Sequence, residues 1–345
     1  MKKYLLPEGG NYYKANLHMH TTVSDGTMTP EEVKTEYMKR GYSIVAFTDH
    51  EALVPHNELS DESFLSITSY EIATNKSRPD GAVYCYPTYH MNLYAKDKNK
   101  TTSKVFTMSR MWPPHAVKYL SEEMKAIDFP REHTVKSMNE VIAAANEDGF
   151  LVSYNHPNWS LQTYEDYAEL KGLWGVEFYN TGCVRAGYPD TMQPIDDLLN
   201  KGERVFPLAT DDAHSGKDTC RDCFGGWVMV KADGLDYDKI MTALEMGDFY
   251  SSTGPEIKDL YIEDGILHVV TSPVTMVEVI TDRRIRLRRS SLTYEEFTEA
   301  TFDLTRLLGD FAKQKTEGVV PFFRINVQDT HGETARTRAF FFDEL

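Results

Sequence analysis

Two histidines separated by one residue are the first feature of the sequence that suggests chemistry. His18 and His20 lie in a short strand-like segment, residues 16–20. Because successive side chains of a strand point to opposite faces, positions i and i+2 place both imidazoles on the same side of the backbone. Two neutral imidazoles placed in this way are a ready pair of metal ligands. Asp25 follows within a Ser-Asp-Gly turn and adds a carboxylate.

Residue types that bind metals also follow four later apolar runs. They are His50 after run 43–47, Glu71 after run 64–67, His156 after run 150–154, and Asp212 and His214 after run 205–209. In a barrel of parallel strands, the carboxyl ends of all the strands meet on one face, where active sites are built. Five strand ends of this kind therefore predict a metal-binding site on that face. Isolated histidines such as His56 and His115 predict only packing or surface positions.

The apolar runs alternate with amphipathic helical stretches from residue 16 to about residue 254. This alternation is typical of a β/α protein with parallel strands. The clearest predicted helix has Thr29 as its N-cap, Pro30 in its first position and Glu32 completing a capping box, and it ends at Gly41. Later helices are predicted at residues 133–148, 164–171, 190–201 and 236–247.

Two segments interrupt this alternation. Residues 95–131 are rich in lysine, threonine and proline and predict a long insertion, a kind of segment that is often mobile or acts as a lid. After residues 251–255 the helical periodicity mostly disappears, and β-rich runs follow at 257–262, 266–270, 274–281, 319–327 and 335–342. Residues 284–288 alternate as in a strand with one buried face. The predicted domains are a barrel, residues 1–254, and a small β-sandwich-like domain, residues 255–345.

Length and charge limit the classes of function. A chain of 345 residues, 41% of them hydrophobic, is long enough for one large and one smaller domain. The net charge of −16 repels nucleic acid and anionic membranes, so neither a long polynucleotide nor a membrane is an expected partner. The apolar run near the N-terminus is too short for a signal peptide, which predicts a cytoplasmic protein. The four cysteines, Cys220-x-x-Cys223 included, receive no predicted role.

Together these motifs resemble the PHP (polymerase and histidinol phosphatase) superfamily of metal-dependent phosphoesterases. The matching motifs are His18-x-His20 with Ser24-Asp25-Gly26, Thr48-Asp49-His50, Glu71, Asn155-His156-Pro157 and Asp212-x-His214, and the match spans roughly residues 12–254. The resemblance implies an α/β fold, a distorted (β/α)7 barrel, with two or three divalent metal ions at its C-terminal face. Residues 249–255 and the β-rich part after them are similar to the CehA/McbA-like branch of this superfamily, which leaves the substrate open.

The resemblance also implies which residues bind each ion. One ion would take His18, His20, Glu71 and Asp212. A second ion would share Glu71 and add His156 and His90, the histidine on the apolar segment that follows Glu71. A third ion would take Asp25, His50 and His214. Some relatives have a histidine where this chain has Asp25, and a carboxylate at that position favours manganese or iron over zinc.

Such a site predicts hydrolysis of a small anionic substrate. Three divalent ions would outweigh the ligand carboxylates of Asp25, Glu71 and Asp212 and leave the pocket positive. The predicted reaction is attack on the phosphorus of a small phosphate ester by a hydroxide that bridges the metals. Asp25 is predicted as a catalytic candidate as well as a ligand. Arg185, in the loop after the strand that ends at residue 180, and Arg110, in the insertion, are the candidates for binding the other phosphate oxygens.

Two other functions are compatible with the same residues. The first is a metal-dependent hydrolase of carboxylic esters, carbamates or amides, because the same hydroxide can attack a carbonyl carbon. The second is a non-catalytic metal-binding module whose β-rich domain recruits a partner protein. The nearly complete ligand set argues against the second, and a panel of substrates separates the first from a phosphoesterase. The sequence predicts no particular oligomeric state.

Overall fold

The computed structural model describes residues 2–77, 86–216, 218–313 and 320–345. The strands before residue 255 are β1 (Lys2–Tyr4), β2 (Asn11–Asn16), β3 (Tyr42–Phe47), β4 (Leu65–Asn75), β5 (Thr88–Ala95), β6 (Phe150–Tyr154), β7 (Gly175–Asn180), β8 (Phe206–Thr210), β9 (Trp227–Ala232) and β10 (Phe249–Ser252). The helices in this part are α1 (Pro30–Met38), α2 (Glu122–Lys125), α3 (Val135–Glu147), α4 (Tyr164–Tyr167), α5 (Thr181–Arg185), α6 (Gln193–Asn200) and α7 (Tyr237–Met246). Nowhere in the described chain is there a helix long and apolar enough to cross a membrane.

The strands around the candidate site form a curved sheet in the order β9-β2-β3-β4-β5-β6-β7-β8. Among the described residues no ladder joins β8 to β2 or β9, so the sheet is not a barrel closed by strand pairing. Just beyond the strands, the segment after β8 meets the segment after β2 instead. There the Asp212 amide donates to the His18 carbonyl at 2.9 Å, and the His20 amide donates to the Ala213 carbonyl at 3.0 Å. The same segments carry ligand candidates, so the seam of the barrel runs through the site.

Strand direction differs from the expected all-parallel barrel in two places. Strands β2, β3 and β4 pair in parallel, as do β6, β7 and β8, but β5 is antiparallel to both of its neighbours. The reason is local: β4 and β5 are consecutive and pair directly, with Asn75 opposite Thr88, and strands joined in this way must run in opposite directions. Strand β9 is likewise antiparallel to β2. The fold is therefore mixed α/β with one large sheet.

The helix predictions hold best where a cap could be recognised. Helix α1 is confirmed with its capping box: the Thr29 side chain accepts from the Glu32 amide, and the Glu32 side chain accepts from the Thr29 amide. Helices α3, α4, α6 and α7 lie within the four later ranges, and each is shorter than predicted. Helix α5 was not predicted, because its five residues are too few to show a periodic pattern.

The insertion is packed against the barrel. Within residues 96–131 the structure contains the short helix α2 and two 3-10 turns, Met108–Arg110 and Pro114–Tyr119. Val105, Phe106 and Met124 are fully buried and belong to the apolar core that also contains residues of β5, β6 and α3. Burial of these side chains anchors the insertion, so this segment is not built as a mobile lid.

The last part of the chain consists mainly of strands. They are β11 (Ile257–Glu263), β12 (Ile266–Val274), β13 (Met276–Thr281), β14 (Arg286–Ser290), β15 (Phe297–Asp303), β16 (Phe322–Gln328), β17 (Thr334–Thr337) and β18 (Phe340–Phe341), with helix α8 (Thr305–Lys313) between β15 and β16. One sheet has the order β1-β11-β12-β15, and the second, β14-β13-β16-β17, continues through β10 into the barrel sheet. Both sheets contribute to one apolar core, as in a β-sandwich. Helix α8 was not expected, and β1 joins the N-terminus of the chain to this part.

Candidate metal centre

The ligand candidates lie where strands end or where β5 begins. His18 and His20 follow β2, His50 follows β3, His156 follows β6, and Asp212 and His214 follow β8, while Glu71 and His90 lie within β4 and β5. Because β5 is reversed, its first residues lie at the same end of the sheet as the last residues of its neighbours. All nine predicted metal ligands converge in the structure. Eight of them belong to four overlapping groups of possible ligands, and Asp212 contacts members of these groups.

Glu71 is at the centre of this cluster, and its side chain is 1% exposed. Five imidazole nitrogens lie around its two oxygens: His90 Nδ1 at 3.1 Å, His50 Nδ1 at 3.0 Å, His18 Nε2 at 3.4 Å, His20 Nε2 at 3.4 Å and His156 Nε2 at 3.5 Å. Ligands about 2.1 Å from one metal ion are roughly 3.0–3.4 Å from each other. The spacing of this cluster is therefore that of ligands around metal ions.

His18 and His20 show most directly that the cluster needs a cation. Their Nε2 atoms face each other at 3.2 Å, and His18 Nδ1 lies 2.7 Å from the Glu177 carboxylate, which makes Nδ1 the protonated nitrogen of a neutral His18. Its Nε2 then presents a lone pair to the His20 ring. Asp212 Oδ1 lies 3.2 Å and 3.1 Å from the same two nitrogens. A metal ion among these three atoms would be bound by all three lone pairs, in place of the proton that His18 Nε2 otherwise carries.

Asp25 forms a second group at the more open edge of the site. Asp25 Oδ1 lies 3.5 Å from His214 Nε2 and 3.6 Å from His20 Nδ1, and Asp25 Oδ2 lies 3.8 Å from His50 Nε2. The side chains of Asp25 and His214 are 31% and 35% exposed, whereas His20 is fully buried. The predicted third set of ligands is thus brought together, with His20 Nδ1 beside it, on the side that solvent reaches.

Gly26 fixes the turn that carries Asp25. A Cβ atom on this glycine would lie 2.4 Å from the His20 carbonyl oxygen, a distance that real side chains do not tolerate. The turn therefore packs directly on the backbone of the His18–His20 segment because residue 26 has no side chain. This contact explains why the Ser-Asp-Gly sequence accompanies the histidine pair.

His90 and His156, which the predicted second set combines with Glu71, both approach the same carboxylate oxygen: His90 Nδ1 lies 3.1 Å and His156 Nε2 lies 3.5 Å from Glu71 Oε1. His90 groups with Glu71 and His50, while His156 groups with His18 and Glu177. His156 Nε2 also lies 3.7 Å from Asp212 Oδ2. Glu71 thus contacts members of each of these groups, and how the residues would divide among ions stays a prediction.

Two ligand candidates lie in the left-handed region of backbone conformation. The φ angles of His156 and Asp212 are 28° and 56°. Such angles cost a non-glycine residue on the order of 1 kcal/mol and are concentrated at functional sites. The Asn180 side-chain amide donates to Asp212 Oδ2 at 3.1 Å, and the Glu177 carboxylate accepts from the His156 amide at 3.0 Å. These bonds hold both residues in the unusual conformation.

Glu177 is the functional residue that the sequence analysis missed. Its Oε1 accepts from Thr210 and lies 2.7 Å from His18 Nδ1, and its Oε2 accepts from the His156 amide and from Asn180. A carboxylate bonded to the far nitrogen of a histidine ligand fixes the tautomer and orientation of the ring. The signal in the sequence was a glutamate within the otherwise apolar start of β7, residues 175–178.

Asp49 and Asp211, which lie next to ligand candidates, hold backbone turns. Asp49 accepts from the amide and hydroxyl of Thr21 and from the amide and hydroxyl of Ser24, the turn that precedes Asp25. Asp211 accepts from the Tyr37 hydroxyl and from the amides of residues 224–226. Burial raises the pKa of both carboxyl groups, which hydrogen bonds from these donors counteract. Among the described residues neither aspartate has a hydrogen bond to a histidine ring.

Arg185 and Arg110 lie outside the ligand cluster. Arg185 Nη1 donates to the carbonyls of Cys220, Arg221 and Cys223 at 3.0–3.3 Å, and Arg110 donates to the Arg131 carbonyl at 2.7 Å. Within the described part of the chain neither guanidinium forms an ion pair with a carboxylate of the cluster. The structure gives Arg185 a role in holding the turn at residues 220–223, and substrate binding by either arginine stays a prediction.

The electrostatics of the cluster favour the ligand form of Glu71 and of His20. For His50, burial alone would lower the pKa, but Glu71 raises it to about 9. Burial alone would raise the pKa of the Glu71 carboxyl, but His90, His18 and His50 lower it well below its usual range. Burial, together with His214, lowers the pKa of His20 to about 3. A carboxylate that stays ionised and an imidazole that stays neutral are the forms that bind metals.

One buried oxygen supports the same conclusion. Glu71 Oε2 is removed from solvent and faces two imidazoles, with His50 Nδ1 at 3.0 Å and His20 Nε2 at 3.4 Å. An ionised oxygen left in this state is costly unless a cation is nearby. Together with the mixed imidazole and carboxylate donors, this atom shows that the residues fit divalent transition metals.

Comparisons with known proteins give structural neighbours only. No protein-family model matches the chain, and no curated protein matches it. The fold is similar to a two-domain protein from Bacteroides vulgatus that contains a predicted PHP-like metal-dependent phosphoesterase; identity is 15%, the TM-score is 0.45, and 98% of each chain is covered. A proposed metal-dependent phosphoesterase from Bifidobacterium adolescentis shares 20% identity at a TM-score of 0.39, with 61% of this chain and 90% of that chain covered.

A third neighbour is an amidohydrolase from Chromobacterium violaceum with bound sulfate and no metal, at 13% identity and a TM-score of 0.42, covering 68% of this chain and 96% of that chain. These neighbours are described as metal-dependent phosphoesterases, one of them PHP-like, and as an amidohydrolase. The CehA/McbA-like branch stays a prediction. Similarity at these TM-scores says nothing about the substrate, so the case for a function comes from the site.

Proposed function

We propose that this protein is a metal-dependent hydrolase that cleaves a small phosphate ester. The observation that carries the proposal is the convergence of six histidines, Asp25 and Asp212 around Glu71, with donor atoms 3.0–3.8 Å apart. Two or three divalent ions, manganese, iron or zinc, would be held by these residues. When bound, such ions lower the pKa of a coordinated water and stabilise charge on the attacking and leaving oxygens.

The residues of this chain would then do three things. Glu177 orients His18 through Nδ1, and Glu71 would be a shared ligand. Asp25 and His214 form the solvent-accessible edge, where a substrate reaches the ions. Three ions would outweigh the carboxylates of Asp25, Glu71, Glu177 and Asp212, so the pocket attracts an anion although the whole protein is acidic.

A second candidate is hydrolysis of a carboxylic ester, carbamate or amide. One observation favours it: among the described residues, no lysine or arginine forms an ion pair with a carboxylate of the cluster. Phosphate is often bound through bidentate arginines, whereas a carbonyl group needs none. A positive site made by the ions alone is compatible with either substrate.

The test is a substrate panel for fully metallated protein. Phosphomonoesters, phosphodiesters and aryl carboxylic or carbamate esters are assayed in parallel, with the double variant His18→Ala/His20→Ala as the blank for contaminating phosphatases. We expect turnover of a phosphate ester, and in ¹⁸O-labelled water the label should enter the phosphate, since attack is at phosphorus. Turnover confined to carbonyl esters would replace the first proposal by the second. No turnover of any substrate by metallated protein would favour the non-catalytic module.

A further inference from the structure

A cavity of about 220 Å³ lies beside the metal centre. His90 forms one wall, and the others include Tyr86, Trp159, Tyr188, Leu161 and Thr88. None of the described side chains that line it carries a carboxylate, ammonium or guanidinium group. The cavity therefore differs sharply from the ligand cluster next to it, because its walls are mainly aromatic and apolar.

Trp159 connects this cavity to the cluster. The Trp159 ring lies edge-on to two ligand histidines, with centroids 5.0 Å from His156 and 5.5 Å from His90. His90 Nδ1 in turn lies 3.1 Å from Glu71 Oε1. His90 thus belongs both to the candidate metal centre and to a wall of the cavity, which places the cavity next to the proposed site of hydrolysis.

Two large apolar side chains at the rim of the cavity are exposed to solvent. Trp159 is 41% exposed and Leu161 is 43% exposed, although both stand next to a site made of charged and polar groups. Exposed apolar side chains that cluster at the rim of a polar site mark binding surfaces more often than isolated ones do. Covering them with an apolar group would recover the free energy of burial.

The turn that presents these side chains is firmly held. The Ser160 amide donates to the His156 carbonyl at 3.1 Å, the Thr88 amide donates to the Ser160 carbonyl at 3.1 Å, and the Gln162 side chain donates to the Thr88 carbonyl at 2.6 Å. Leu161 has a φ of 57°, which a non-glycine residue adopts at a cost of about 1 kcal/mol. The backbone therefore holds Leu161 at the rim in a conformation it would not adopt by itself.

We propose that this cavity binds the alcohol part of the substrate and that this part is a flat apolar group, such as a single aromatic ring. The inference rests on the proposed function, because it places the leaving group of the hydrolysed ester. The volume is below the roughly 300–1,000 Å³ typical of pockets for drug-sized ligands, so it suits one ring and not a nucleoside. Aromatic walls favour an aromatic guest through edge and offset contacts. The lining residues that the structure describes include no charged side chain to pair with a leaving group that carries further phosphates.

The experiment compares benzyl phosphate with ethyl phosphate. Both leaving alcohols have similar acidity, so the ratio of their kcat/KM values measures the cavity and not leaving-group chemistry. We expect benzyl phosphate to be preferred about tenfold or more, as one apolar contact surface typically provides. In Trp159→Ala the preference should fall below about threefold, and in Trp159→Phe part of it should remain. Tyr294→Ala, which removes an exposed aromatic ring of the β-rich part, is the matched control and should keep the full preference.

A binding measurement separates this inference from the proposed function. Benzylphosphonate and ethylphosphonate cannot be hydrolysed as esters, and calorimetry on metallated protein gives the ratio of their affinities. If no phosphate ester is turned over but benzylphosphonate binds about tenfold tighter, and Trp159→Ala removes the difference, the cavity assignment stands and the proposed reaction falls. Equal kcat/KM values for benzyl and ethyl phosphate, with no response to Trp159→Ala, would overturn the cavity assignment and leave the reaction intact.

Discussion

His18 has a carboxylate on each side of its ring. Glu177 contacts Nδ1 at 2.7 Å, and Glu71 lies 3.4 Å from Nε2. Burial alone would lower the pKa of this imidazole, but Asp212, Glu177 and Glu71 raise it well above its usual value. Without a metal His18 therefore holds a proton, and a metal ion bound at Nε2 must displace it. Glu177 keeps the remaining proton on Nδ1 and so prepares the ring as a ligand.

Glu177→Gln should weaken metal binding without unfolding the chain. The amide keeps the shape of the side chain but loses the charge that stabilises His18 as a ligand. Loss of such a supporting carboxylate typically lowers metal affinity by about 10–100-fold. Competition with a chelator measures this change, and Glu263→Gln, at an exposed glutamate of β11, is the control. Unchanged affinity in Glu177→Gln would show that the carboxylate only supports the fold.

Asp25→Ala should remove one metal position. Burial alone would raise the pKa of the Asp25 carboxyl, but His50, His20 and His214 lower it, so the carboxylate is ionised and available. The variant should lose close to one equivalent of metal and at least about 100-fold in kcat/KM, more than the loss of one charged hydrogen bond causes. Metal content and turnover are measured on the same preparations, with Asp238→Ala, at an exposed position of α7, as control. Full metal content with normal turnover would exclude Asp25 from the site.

At the scale of elements, the sequence could predict those residues of the site that directly follow a single strand. His50, His156 and the pair Asp212 and His214 could be predicted because each directly follows an apolar run, and parallel strands place their ends together. The reversal of β5 could not be predicted in this way. His90 still reaches the cluster because it lies near the start of a reversed strand.

Contacts between distant elements were the unpredictable part. Glu177 meets His18 only because β7 and β2 face each other across the sheet, which depends on strand order and curvature and not on local pattern. The same reason applies to Arg185, whose short helix α5 could not be recognised and whose guanidinium lies against a turn more than thirty residues away in sequence. Residue type and spacing predicted which residues converge, while their role as ligands and their division among ions stay predictions.

Arg185→Ala tests the role of α5 in holding the metal-binding turn. Arg185 binds carbonyls of residues 220–223, and Asp222 within this turn accepts from the His214 amide at 3.0 Å. Loss of a charged hydrogen bond typically costs about 1.5–3 kcal/mol, so we expect roughly tenfold or greater loss of kcat/KM, in proportion to lost metal. The exposed neighbour Arg221→Ala is the control. An increase in KM at full metal occupancy would instead support the predicted contact with substrate.

At the scale of the whole molecule, strand pairing joins the β-rich part to the barrel. Strand β10 pairs with β9 of the barrel and with β17, so one continuous sheet spans both. Among the arginines of β14, Arg288 pairs with Glu278, while Arg286 and Arg289 are exposed. We therefore expect β14 to support the sheet and not to bind substrate.

The triple variant Arg284→Ala/Arg286→Ala/Arg288→Ala should therefore leave kcat/KM within about twofold, because exposed charges contribute little. A modest fall in Tm is expected from loss of the contact with Glu278, and the single variant Arg288→Ala should account for most of it. Thermal unfolding and turnover are measured together. Loss of turnover at unchanged stability and assembly would mean that this strand takes part in binding.

The central claim, that this acidic chain is built around a cluster of divalent metals, is tested most directly by its metal content. Elemental analysis is done on protein purified without chelator and again after reconstitution with manganese, iron and zinc. We predict at least two equivalents per chain and loss of metal in His18→Ala/His20→Ala, while His115→Ala/His331→Ala, at two exposed histidines, retains it. Less than one equivalent after reconstitution would contradict the account.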